Sequence, residues 1–144
     1  MQGVSAAGRL NCLVPDRPPL IIATSRYQAR EKIAASGLAP VGTTVGRPRF
    51  KLGYELAGMA SNLAPHGCLQ IEDRARFAAA YRGRLNRVGV GPISRLLAGL
   101  AQKAAVDGVV LLCFEDLTKP GEWCHRRVFA DWWLEQTGEQ VVEL

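Results

Sequence analysis

No stretch of this sequence approaches the roughly 18 to 20 consecutive apolar residues that a membrane-spanning helix requires, so no membrane partner is expected. There is no Cys-x-x-Cys pair: the four cysteines stand alone at positions 12, 68, 113 and 124. There is no block of Lys or Arg, no P-loop and no dinucleotide-binding glycine fingerprint. Internal repeats and low-complexity segments are also missing. Residues 1–19 contain Arg9, Asp16 and Arg17 but no continuous hydrophobic core, so they do not read as a signal peptide. The expectation is a cytoplasmic protein whose thiols are reduced.

What remains is an ordinary globular composition. A length of 144 residues suits one domain, and 48% apolar with 22% charged residues can build and solubilise one core. The formal charge of +5 supports two readings: charge for solubility, or easier approach for anionic partners such as nucleotides, phosphorylated molecules or nucleic acid.

Residues 1–19 read as a loosely ordered arm ending in a Pro-rich turn. Residues 20–24 form a short buried strand, followed by a helix over 27–35 with Ser25 as N-cap and Gly37 as C-cap. A second strand over 38–45 runs into a loop that carries Thr43, Thr44, Arg47 and Arg49 between glycines. Such a loop can wrap an anion, or it can be an ordinary strand-edge turn. Residues 54–63 read as a short helix. Glu72-Asp73 opens a longer helix to Val88, with Phe77, Tyr81, Leu85 and Val88 as its buried stripe. Arginines fill the other faces of that helix, as a solvated surface or a nucleic-acid surface. Gly91-Pro92 starts a third long helix. Residues 109–113 are the strongest strand, ending at Cys113 and Glu115. The last helix is expected over 123–137, with an Arg127–Asp131 pair on its surface and Gly138 as its cap, and residues 140–144 return as a strand. This alternation predicts an α/β fold: a mainly parallel sheet of about four strands with helices on both faces, in a single compact domain over 20–144.

Leu111-Leu112-Cys113-Phe114-Glu115 with Cys124-His125-Arg126 resembles the signature of the domain of unknown function 488 family. The segments Gly46-Arg47-Pro48-Arg49-Phe50, Gly53-Tyr54 and Leu63-Ala64-Pro65-His66-Gly67, with Tyr81 and Leu85, resemble its short, phage- and bacterial-type branch. The likeness spans residues 20–144. It implies a Rossmann-like fold and no known reaction. The Asp-Val-Arg segment usual after the second strand of that family is replaced here by Val41-Gly42-Thr43-Thr44, so a role for that Asp does not transfer.

Parallel strands deliver their carboxyl ends to one edge, which places Cys113, Glu115 and Cys124-His125-Arg126 beside Arg26 and the 43–49 loop. A cysteine in the first turn of a helix, with basic neighbours, is biased toward thiolate. Cys124 is therefore a candidate nucleophile, with His125 or Glu115 moving protons. Arg26, Thr43, Thr44, Arg47, Arg49 and Arg126 are candidate anion contacts. Cys113 reads as a packing residue or as half of a redox pair, and Cys124 also has a packing reading. No metal is expected, because adjacent Cys124 and His125 should diverge on a helix, and His66 or Cys68 lacks the usual ligand spacing. No cofactor is expected. The function expected is action on a nucleotide or nucleic acid. The alternative is a non-catalytic binding module docking on a host protein or nucleic acid, which an exposed patch of Trp123, Trp132 and Trp133 would favour.

Overall fold

The computed structural model describes residues 20–144; the proposed arm at 1–19 lies outside them. Its centre is the strand β4, Gly108–Cys113, in which all six residues are buried. A continuous apolar run of this kind is stable as a central strand covered on both faces. β1 (Ile21–Arg26) pairs with it in parallel along its whole length, from Ile21 opposite Gly108 to Arg26 opposite Cys113. That close pairing requires Gly108, because a Cβ there would collide with the backbone of Ile21. On the other side β4 pairs with β2 (Ala39–Gly42). β3 (Gly58–Met59) extends β2, and β5 (Val142–Glu143) extends β1. The sheet is parallel throughout, in the order β3-β2-β4-β1-β5.

Period-two alternation divides the core. Val109 and Leu111 of β4 face the larger cluster, whereas Val110 and Leu112 face a smaller one with Tyr27 and Ile33. The smaller cluster lies under α1 (Arg30–Ser36), and the larger lies under α2 (Arg74–Val88), α3 (Val90–Lys103) and α4 (His125–Thr137). Phe77, Tyr81 and Leu85 are the buried stripe of α2, as their spacing predicts. Asp73 caps that helix by accepting the Arg76 N–H at 2.9 Å. Four helices therefore cover both faces of the sheet, with one on one side and three on the other. The α/β, Rossmann-like expectation holds.

The corrections are local. The sheet has five strands, because residues 54–63 hold β3 and a single 3-10 turn rather than an α-helix. The edge of β2 takes this segment: Ala57 N–H donates to Pro40 O at 2.7 Å and Ala60 N–H to Gly42 O at 2.8 Å. Tertiary partners for those donors outweigh a helical composition. Ser25 is not a helix cap; it is buried in β1, and α1 begins after Ala29. Arg127 does not pair with Asp131 but donates to Thr24 Oγ1 and Val141 O, stitching α4 to β1 and the chain before β5.

Candidate functional site

The chain leaves β2 toward β3 at one end of the sheet and leaves β4 toward β5 at the other. The two connections part in opposite directions, so a crevice opens between the carboxyl ends of β2 and β4. This is the topological switch point at which open α/β sheets bind ligands. A cavity of about 1020 Å³ occupies it, lined by the loop after β2 and by the residues between β4 and α4.

Three side chains meet on its floor. Cys113 is the last residue of β4, and Cys124 precedes α4 in an extended conformation (φ −150°, ψ 150°). His125 is the first residue of α4. All three are buried and all three line the cavity. The two sulfurs meet as a disulfide pair whose Cα atoms stand 7.3 Å apart. The Nδ1 of His125 lies 3.5 Å from each sulfur. On its far side the ring is fixed by the first residue after β2: Nε2 donates to the Thr43 carbonyl oxygen at 2.8 Å, with Thr43 Oγ1 at 3.1 Å. That bond places the proton on Nε2 and leaves the Nδ1 lone pair facing the sulfurs. Tyr81 supports the ring edge-on at 5.4 Å. Burial is the main reason the His125 pKa falls to about 4, with the neighbouring Arg126 charge acting in the same direction and the Thr43 bond opposing it. The imidazole is therefore neutral at physiological pH. Glu115 Oε1 lies 2.9 Å from Cys113 Sγ and its residue also lines the cavity.

The expectation that Cys124 and His125 diverge fails, and the backbone explains why. Only His125 is helical; Cys124 sits in the extended residue before the helix, so the angular step between successive helical residues does not separate them. His66 is exposed, and neither it nor Cys68 belongs to the cluster.

The cavity wall comes from the loop after β2. Arg47 and Arg49 line it and are exposed, so their guanidinium groups are accessible to a ligand. Thr44 also lines it, but its hydroxyl already bonds Tyr27 Oη at 2.8 Å and Gly46 O at 2.6 Å. Thr43 acts from beneath, through His125. Two expected anion contacts stand elsewhere. Arg26 leans on Asp116 at 3.8 Å, outside the cavity lining. Arg126 is buried: its Nε and Nη2 reach the two oxygens of Glu143 at 3.0 and 2.9 Å, and Nη2 also donates to Glu115 O. A carboxylate on β5 has taken the charge that the sequence assigned to a ligand.

Sequence reasoning missed the aromatic part of the wall. Phe50, Phe114 and Trp123 line the cavity, with Trp123 packed against Phe77 at 4.9 Å. Phe50, Phe114 and Trp123 each neighbour a predicted site residue, which was the available signal. Glu122 lines the cavity as well. Trp132 and Trp133 are buried in the core, so they form no exposed patch. Among the described residues, no helix is long and apolar enough to cross a membrane. No protein-family model, no curated protein and no solved structure matches this chain.

Proposed function

We propose that this chain is an enzyme that takes a nucleotide-class anion into the crevice between β2 and β4 and acts on it at the sulfur–imidazole centre. One observation carries this reading. Two accessible arginines, an aromatic wall and the Cys113–Cys124–His125 centre all line one cavity. Its volume suits a small organic ligand rather than a single ion. Guanidinium groups recognise phosphate through paired N–H donors, and aromatic faces stack against a base. Glu115 and Glu122 offset Arg47 and Arg49 within the same wall, so the pocket is not the continuous basic track that a nucleic-acid strand needs. A nucleotide fits better than a polymer backbone.

Cys124 is the reacting residue in this reading. Once its bond to Cys113 is reduced, its thiol stands at the N-terminal end of α4 and 3.5 Å from Nδ1 of His125, where the buried neutral imidazole accepts a hydrogen bond from it. Glu115 is placed to handle a proton at the cavity side. Trp132 and Trp133 are buried, and the half-buried Trp123 lies in the cavity wall, where a small ligand would meet it.

On the same footing we propose membership of the domain of unknown function 488 family and a cytoplasmic setting. The support is that its signature residues meet at one strand–helix junction, with Arg126 donating to Glu115 O at 3.0 Å. Alkylation tests the central reading. In reduced, chelator-treated protein, iodoacetamide should modify Cys124 faster than Cys68, and AMP or ATP should slow that modification. An unprotected Cys124 that reacts no faster than Cys68 would sink it.

A further inference from the structure

A nucleophile needs one sulfur and one base. This centre has two sulfurs sharing one imidazole nitrogen. We propose that Cys113, Cys124 and His125 hold a single zinc-class divalent ion through Sγ, Sγ and Nδ1, with a fourth position turned toward the pocket.

The two sulfur–nitrogen edges fit one ion, and the sulfur–sulfur edge opens to ligand spacing once the Cys113–Cys124 bond is reduced. The three donor atoms lie within 4.8 Å of one another, and each Sγ–Nδ1 separation is 3.5 Å. Tetrahedral coordination with Zn–S of about 2.3 Å and Zn–N of about 2.0 to 2.1 Å sets donor atoms about 3.5 Å apart along that edge. The histidine is prepared for ligation before any ion arrives. Its Nε2 proton is held by the Thr43 carbonyl, the outer contact that fixes the tautomer of metal-bound histidines and raises their basicity. The donors sit on β4 and at the start of α4, so the scaffold defines their positions.

Donor chemistry selects the ion. Two thiolates and an imidazole suit zinc and exclude the hard oxygen-seeking cations magnesium and calcium. Only the reduced pair can ligate: the two thiol protons leave as the sulfurs bind, and a bridged pair must first accept two electrons and two protons from a thiol reductant. Three protein ligands leave an open coordination position, the arrangement of catalytic rather than structural zinc. Glu115, on the cavity side, is placed to take a proton from a water there. The inference deepens the proposed reading of this pocket by adding an ion to it, and Cys124 then serves as a ligand rather than as the reacting residue.

The test uses the full chain, reduced, loaded with zinc chloride and desalted. One zinc per chain is expected by elemental analysis. Cys113→Ser and Cys124→Ser should each lose most of it, while Cys68→Ser retains it. Cobalt(II) substitution of the unaltered chain gives a readout that needs no variant to fold. Sulfur-to-cobalt charge-transfer absorption with intense tetrahedral visible bands supports the site. Zinc well below one per chain in folded, reduced protein, or zinc unaffected by both serine variants, overturns the inference. So does a cobalt spectrum with oxygen and nitrogen ligands alone. ATP protection of Cys124 in the metal-free protein is measured separately, so loss of the metal site leaves the nucleotide reading standing, and the reverse also holds.

Discussion

Arg126 and the pair Arg47 and Arg49 stand at the same carboxyl edge of the sheet, yet their surroundings make them different chemical objects. Arg126 has a side chain only 1% exposed and is held in a two-pronged contact with Glu143. Arg47 and Arg49 lie on an irregular loop, exposed, along the cavity wall. A guanidinium surrendered to a strand carboxylate contributes to the fold, whereas one left on a loop remains available to a ligand. Neither residue type nor distance along the chain from the site separates the two cases. The direction in which the backbone projects each side chain does.

The largest effect should come from breaking the internal pair. Glu143→Ala leaves the Arg126 charge buried without its counter-ion and also strands the Thr24 hydroxyl, which donates to Glu143 at 2.7 Å. A loss of about 3 to 5 kcal/mol in urea denaturation is expected. A loss under about 1 kcal/mol would show that Arg126 is not structurally committed. Next is the double variant Arg47→Ala with Arg49→Ala. It should leave stability within about 0.5 kcal/mol of the parent, because neither residue is buried. Titration calorimetry with ATP should show affinity reduced by about 10-fold to 100-fold, the scale of a lost charge-assisted contact. Unchanged ATP affinity would erase the distinction between the two sets of arginines. The smallest effect belongs to a third kind of arginine, exposed and already paired. Arg82 meets Glu135 at 2.9 and 3.1 Å on the surface of α2 and α4. Arg82→Ala should cost no more than about 0.5 kcal/mol, and less in high salt.

What the sequence made legible follows the same division. α2 and α3 announce themselves through the spacing of their buried residues and β4 through a continuous apolar run, because many residues repeat one preference. Cys113, Cys124 and His125 were identifiable as residues of interest because strand-to-helix junctions concentrate at one edge of a parallel sheet. β3 was not legible: two residues carry no period, and its donors are satisfied by a β2 edge that sequence proximity does not reveal. The convergence of Cys124 and His125 was hidden for a related reason, since it turns on one extended residue just before the helix begins. The fate of Arg126 depended on a carboxylate 17 residues onward, on a strand of two residues. Long-range pairing of single polar groups leaves no local pattern to read.

The hydrogen bond between His125 and Thr43 O has a mechanical meaning as well. It joins the sulfur-facing imidazole to the first residue after β2, and the loop with Arg47 and Arg49 begins only a few residues further on. A shorter Nε2–oxygen contact makes Nδ1 the better electron donor and a longer one makes it the poorer. A substitution in the loop that displaced Thr43 would therefore be felt at the nitrogen that faces the sulfurs, without touching the ring.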